Sequence, residues 1–434
     1  MNIKYTSLSI LFSWMLACTP EKISTDTDKE GVITRLPHVW KSSISEGPRS
    51  FGLHRGYIID NRGILAVGMR KSAGSNAKNE QYLLLKDLET GENIWKWDEF
   101  QSKSIGTLRQ SIGLYFGAML LHDASTTYYI NTVTGGTIWK TRQPDLGLRP
   151  YPAFLANQYF VAGISIESQR KHRIEPTIFA GNVKTGEVKE LVMPKMKDEY
   201  AYVDTDSSYY RGSMLNIEAF SRNGVDYMVV PFTEPGPKDQ YNHTRSYFGL
   251  YNITDKKWVY ERIAIRPDIG GASSCLKPIV HDDKVYVTSL TTVGCFELMT
   301  GREIWRRSLS DMFTGFNDFI LVNDKLLLNG DNAILYCVDA NTGSQRWTQK
   351  ASALTSDLYH QDGVVYYIYT KSLLAVDIQT GKLLWDMPSP DIKLENRHDS
   401  WFTGFVTGLP TKDGKKGRIF ASTNYNVYCF EAAN

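Results

Sequence analysis

The 434-residue chain lacks the features that mark several large protein classes. Its formal net charge is only +2, from 49 Lys and Arg against 47 Asp and Glu. No concentrated basic surface argues for a nucleic-acid partner. The longest basic run, 412–418, contains Asp413-Gly414, which reads as a hairpin turn at a solvated loop tip. No long stretch carries helical periodicity, and none after residue 17 is long and apolar enough to cross a bilayer as a helix. The eight His are scattered, with no His-x₃-His or Cys-x₂-Cys spacing to suggest zinc. There is no Gly-x-Ser-x-Gly elbow and no phosphate-cradling loop. Cysteines number only five.

What is present begins at the N-terminus. Lys4 precedes an apolar run, Leu8 to Ala17, too short for a comfortable bilayer span and suited to a secretory signal. It ends in Met15-Leu16-Ala17-Cys18, which resembles a bacterial lipobox with Met where Leu is usual. The resemblance implies removal of residues 1–17, a lipid on Cys18, and residues 18–35 as a lipidated tether. Thr19 to Gly31 is polar and poor in large apolar side chains, as a flexible tether would be.

Aromatics are plentiful, with 25 Tyr, 18 Phe and 10 Trp, a composition that suits pleated, half-buried surfaces. Self-comparison shows one pattern recurring: an apolar strand, a polar residue, Thr-Gly or a near equivalent, then Trp. It occurs at 83–95, 128–139, 178–190, 248–258, 294–305, 335–347 and 373–385, and starts again at 427–434. The turn glycines are Gly91, Gly135, Gly186, Gly301, Gly343 and Gly381, with a degenerate copy at Asp255 filling the one double gap. Units of roughly 40–50 residues holding four strands are what propeller blades require.

Each position has a physical reason. The polar residue four before the glycine accepts backbone N–H bonds and ties the turn. Glycine supplies positive φ. Trp95, Trp139, Trp305, Trp347 and Trp385 stand four after the glycine, where a large ring docks between neighbouring blades. In the fourth copy Trp258 is read as the docking ring, and in the third Glu190 replaces it, which predicts a weaker junction. The last copy lacks its outer strand, and residues 36–44 offer one, with Trp40 at its centre. Pairing of this segment with 425–431 closes the ring and hides its free edges. The expected fold is therefore all-β: an eight-bladed β-propeller of four-stranded antiparallel blades over 36–434, closed by N-terminal strand pairing in the last blade. Cys295, Cys337 and Cys429 share one apolar slot in separate blades, so buried free thiols are expected, with a Cys275–Cys295 pair the one open alternative.

The pattern Asp/Asn-x-x-Thr-Gly-x-x-x-Trp, well formed at 87–95, 131–139, 339–347 and 377–385, resembles the repeat of the pyrroloquinoline-quinone (PQQ)-like propeller superfamily. The layout is similar to BamB-like outer-membrane assembly lipoproteins. That likeness implies a monomeric, non-catalytic scaffold, lipid-anchored in the bacterial cell envelope, with the outer membrane favoured. It would bind partner proteins through propeller loops and take no cofactor or metal. The superfamily's quinoprotein dehydrogenases offer the alternative of an oxidoreductase using PQQ and calcium. Those enzymes often stack the quinone on a disulfide between adjacent cysteines, and no adjacent pair occurs here. Glu167, Glu218, Asp268 and Asp318 are candidate carboxylates that no spacing singles out, and surface acids are the favoured reading. A third reading, a glycan- or ligand-binding surface lipoprotein, rests on the long segment 194–244. There Tyr202, Tyr209, Tyr210 and Tyr241 form a candidate partner surface, with strand packing an equal alternative for Tyr209 and Tyr210. Segment 389–401, with His398, Asp399 and Trp401, is a second irregular region.

Overall fold

The computed structural model describes residues 25–44, 56–71, 79–100, 112–115, 117–123, 126–142, 152–164, 176–192, 194, 213–214, 216–235, 244–270, 275–309, 315–351, 356–369, 371–393 and 401–433. Cys18 and the four candidate tyrosines lie outside these residues, as do Glu167, His398 and Asp399.

Eight separate antiparallel sheets follow one another around a ring. Blades 1 to 3 occupy 57–97, 112–142 and 153–192, and blades 4 to 6 occupy 213–270, 279–308 and 316–350. Blade 7 occupies 359–388. Blade 8 takes three strands from 402–431 and its outermost from His38–Ser43. In that pairing Trp40 faces Cys429 and Ser43 faces Asn426, so the chain's first blade strand completes its last blade. The apolar runs at 63–69, 283–290, 324–330 and 363–370 supply second strands, as their β-branched, turn-bounded character predicts.

Short hairpins between the first two strands turn on left-handed residues such as Asp282, Asn323 and Asp362-Gly363. Asp413 (φ +52°) and Gly414 (φ +74°) make such a turn, bridged by Lys412 and Lys415. Blade 4 is the irregular one. It carries a fifth strand, and its outer strand, Lys257–Gly270, is 14 residues long with several bulges.

The core lies between blades rather than in one central mass. One buried cluster joins blades 8, 1 and 2 through Trp40, Trp95, Leu85, Tyr128 and Phe420. Others join blades 3 and 4, 4 and 5, 5 and 6, 6 and 7, and 7 and 8. The four described cysteines are buried free thiols, and burial pushes the Cys429 and Cys275 thiols up to about 12. Cys295, Cys337 and Cys429 face Trp305, Trp347 and Trp40 on the adjoining strand.

The polar segment before the first blade strand is not all tether. Asp26–Thr27 and Ile33–Arg35 form a hairpin that adds to the outer edge of blade 7, making a six-stranded sheet. Composition hid this, because an edge hairpin on the rim needs few large apolar side chains. Val32 is buried, and Ile33 lies beside Trp385 in parallel register.

Candidate functional site

The repeated motif forms a clasp between blades. Asp87 Oδ1 accepts from the N–H groups of Glu89 and Thr90, both at 2.9 Å, and Asn131, Asn182, Asp339 and Asp377 act likewise. The Thr90 N–H bond leads the causes that hold the Asp87 carboxyl below its ordinary value. The six glycines sit at φ +68° to +73°. The ring of the preceding blade lies against each of five of them. A Cβ on Gly91 would stand 2.7 Å from Trp40, on Gly135 2.8 Å from Trp95, and on Gly186 2.8 Å from Trp139. On Gly343 it would stand 2.6 Å from Trp305 and on Gly381 2.7 Å from Trp347. Each indole also donates across the seam. Trp40 Nε1 reaches Leu88 O at 3.0 Å, and Trp95 Nε1 reaches Thr132 O at 2.8 Å. Trp139, Trp305 and Trp347 reach Val183, Ala340 and Ile378 in the same way. Glycine is thus needed twice over, for its backbone and for the ring that covers it.

The fourth copy corrects the expectation for Trp258. The turn is full length: Asn252 pairs with Lys257 as Asp87 does with Glu92, and Lys256 (φ +54°) takes the glycine place. Four residues on stands Tyr260, whose hydroxyl donates to Leu298 O at 2.9 Å, while Ile263 covers Gly301. Trp258 packs instead on Tyr251 and Gly249 of its own blade. The physical reason lies one blade earlier. Glu190 stands where blade 3 would carry its Trp, so no ring covers the blade 4 turn and a side chain fits there.

Trp385 is the other exception. Among the described residues, the buried Trp385 Nε1 has no hydrogen-bond partner. The N-terminal hairpin covers this ring, leaving it 1% exposed against 8% for Trp40 and Trp95.

Two buried charges hold the closing strand. Asp391, in the turn Pro390–Lys393, accepts from Thr423 Oγ1 at 2.8 Å, Asn426 Nδ2 at 2.9 Å, Lys41 Nζ at 3.0 Å and the Tyr428 hydroxyl. Burial alone would raise its pKa, but these donors outweigh burial and hold it below the ordinary value. Lys86 of blade 1 donates to Ser42 Oγ at 2.7 Å and Asn93 Oδ1 at 2.8 Å. Desolvation lowers its pKa to about 8.

A cavity of about 460 Å³ is lined from blades 1, 4, 5 and 6 and the segments leading into blades 5 and 7, including Tyr57, Glu218, Lys277, Asp318 and Asp357. Glu218 and Asp318 therefore belong to the cavity wall, not to the outer surface expected of them. They come from the innermost strands of blades 4 and 6, far apart in sequence, so no spacing could reveal them. Lys277 Nζ stands 2.5 Å from Glu218, and Asp318 Oδ2 accepts from the Leu358 N–H at 2.7 Å. The described wall presents three carboxylates, Glu218, Asp318 and Asp357, and its Lys277 pairs with Glu218. Among the described residues, no three His, Cys, Asp or Glu side chains converge to hold a metal. Trp401 lies partly buried at the start of blade 8.

A family model described as outer membrane protein assembly factor BamB matches residues 289–391, from blade 5 into the Asp391 turn. The outer membrane protein assembly factor BamB of Shewanella oneidensis is 27% identical over 113 residues, 25% of this chain and 28% of that protein's length. Among solved structures, BamB from Moraxella catarrhalis superposes with TM-score 0.53 and 12% identity, over 92% of this chain and 98% of that one. Quinohemoprotein alcohol dehydrogenase from Comamonas testosteroni gives TM-score 0.61 and 11% identity, over 92% and 77%. Its eight four-stranded blades make the chain a β-propeller; its turn motif resembles the PQQ-like repeat, and residues 289–391 are similar to BamB.

Proposed function

We propose that the chain is a lipid-anchored scaffold of the bacterial cell envelope, on the outer membrane, that binds partner proteins through its loops and rim and catalyses no reaction. The observation that carries this reading is the BamB family match over 289–391, seated on an eight-bladed propeller. The fold alone would not decide, since propellers serve many functions. Tyr202, Tyr209, Tyr210 and Tyr241 remain the proposed contact surface, since Tyr supplies large amphipathic area at low entropic cost.

The test is capture of the full-length, tagged chain from detergent-solubilised envelopes, followed by quantitative mass spectrometry. The same envelope protein should return in every replicate, and fall at least fivefold when the four tyrosines are changed to Ser. Repeated capture without a partner, together with dye reduction after loading with PQQ and Ca²⁺, would favour the oxidoreductase instead.

A further inference from the structure

The hairpin at 26–35 is a built feature. Asp28 Oδ1 accepts from the N–H groups of Glu30 and Val32, both at 2.9 Å, and Gly31 turns at φ +78°. Its second strand runs parallel to the outer strand of blade 7, and Ile33 and Leu36 pack against the cluster holding Trp385 and Phe430. It covers Trp385, whose buried indole N–H has no hydrogen-bond partner among the described residues. From there the chain passes directly into His38–Ser43, pinned by Asp391 through Lys41.

We propose that this hairpin is a clamp that sets the length of the membrane leash and holds the rim of blades 7 and 8 close to the lipid surface. The inference rests on the anchored reading above, with lipid on Cys18. Residues 18–25 then span at most ~28 Å fully extended, about half the ~55 Å width expected of a chain this size. Were the hairpin released, the leash would run to His38 and reach ~70 Å, and no rim would be favoured. Docking on blade 7 therefore gives the ring an orientation, and leaves the rim of blades 3 and 4 to face away.

The experiment uses the full-length lipidated chain in liposomes containing a headgroup-attached quencher. A dye is placed at Lys382→Cys in blade 7 or at Glu187→Cys, the corresponding turn position of blade 3, both exposed. The expected result is quenching at least twofold stronger at residue 382. Inserting ten Gly/Ser residues after Thr19 should remove that difference while leaving the melting temperature unchanged. Val32→Asp, which puts a carboxylate into a buried place, should remove it too and speed amide exchange at 32–35. Equal quenching at the two positions in the parent chain, or a difference that survives the insertion, overturns the clamp. A mass showing no acyl group on Cys18 refutes the anchor itself, and is read separately from the quenching.

Discussion

At the scale of single residues, the turn glycine and the docking ring form one unit. Gly343 and Gly363 separate its two parts. Both have positive φ, but a Cβ at Gly343 meets Trp305 at 2.6 Å while one at Gly363 meets nothing within 4 Å. Gly363→Ala should cost about 1 kcal/mol, the left-handed penalty alone. Gly343→Ala should cost about 3 kcal/mol, because overpacking against the indole adds to it. Denaturant melts of both variants check the difference, and equal losses would dissolve the link between glycine and ring. Lys86 gives a second prediction, with a sign. Its folded pKa of about 8 lies below the ordinary 10.5. Below pH 8 both states hold the proton and the fold bears the cost of a buried cation. Between pH 8 and 10 the unfolded chain holds more protons, so this residue's contribution rises with pH. Lys86→Met should therefore flatten that rise, and should stabilise the fold at pH 7 by roughly 1 kcal/mol. A pH series of melts of the two proteins reads both effects.

At the scale of elements, legibility in the sequence followed from repetition. Thr-Gly turns and their Trp residues recur at fixed spacing, so seven copies and the closing strand around Trp40 could be read without a structure. The fourth copy misled because Trp258 drew the alignment, while the residue that acts is Tyr260, four after a left-handed lysine. The missed signal was the pairing of defects: a blade without its Trp, at Glu190, precedes a turn without its Gly, at Lys256. The hairpin at 26–35 was invisible because its polar composition matches a linker. Glu218 and Asp318 meet only when the ring forms. The turn at Pro390–Lys393 was equally silent, since Asp391 gains its meaning from Lys41, Thr423, Asn426 and Tyr428. Asp391→Asn leaves those donors poorly matched and should cost about 3 kcal/mol. Its folded pKa lies below the ordinary 3.8, so its contribution is present above pH 4 and fades as pH falls below that. Thermal melts from pH 7 to pH 3 should show the variant losing less stability on acidification than the parent.

At the scale of the whole molecule, closure ties the two ends of the chain together. The strand that completes blade 8 follows the segment proposed to carry the membrane anchor. Its Trp40 clasps blade 1 by the same contact that joins the other blades, with Arg418 adding a bond to Leu88 O at 3.1 Å. Asp391 and Lys86 hold the strand at this seam, through Lys41 and Ser42. The most direct test of closure is a disulfide between Ser42→Cys and Val427→Cys, which face each other across that seam. Antiparallel partners lie within disulfide reach, and the native described thiols are buried and unreactive. The closed ring predicts near-complete intramolecular cross-linking when the folded protein is oxidised, and little when oxidation is done in guanidinium. Failure to cross-link in the folded state, or cross-links only between chains, would contradict it.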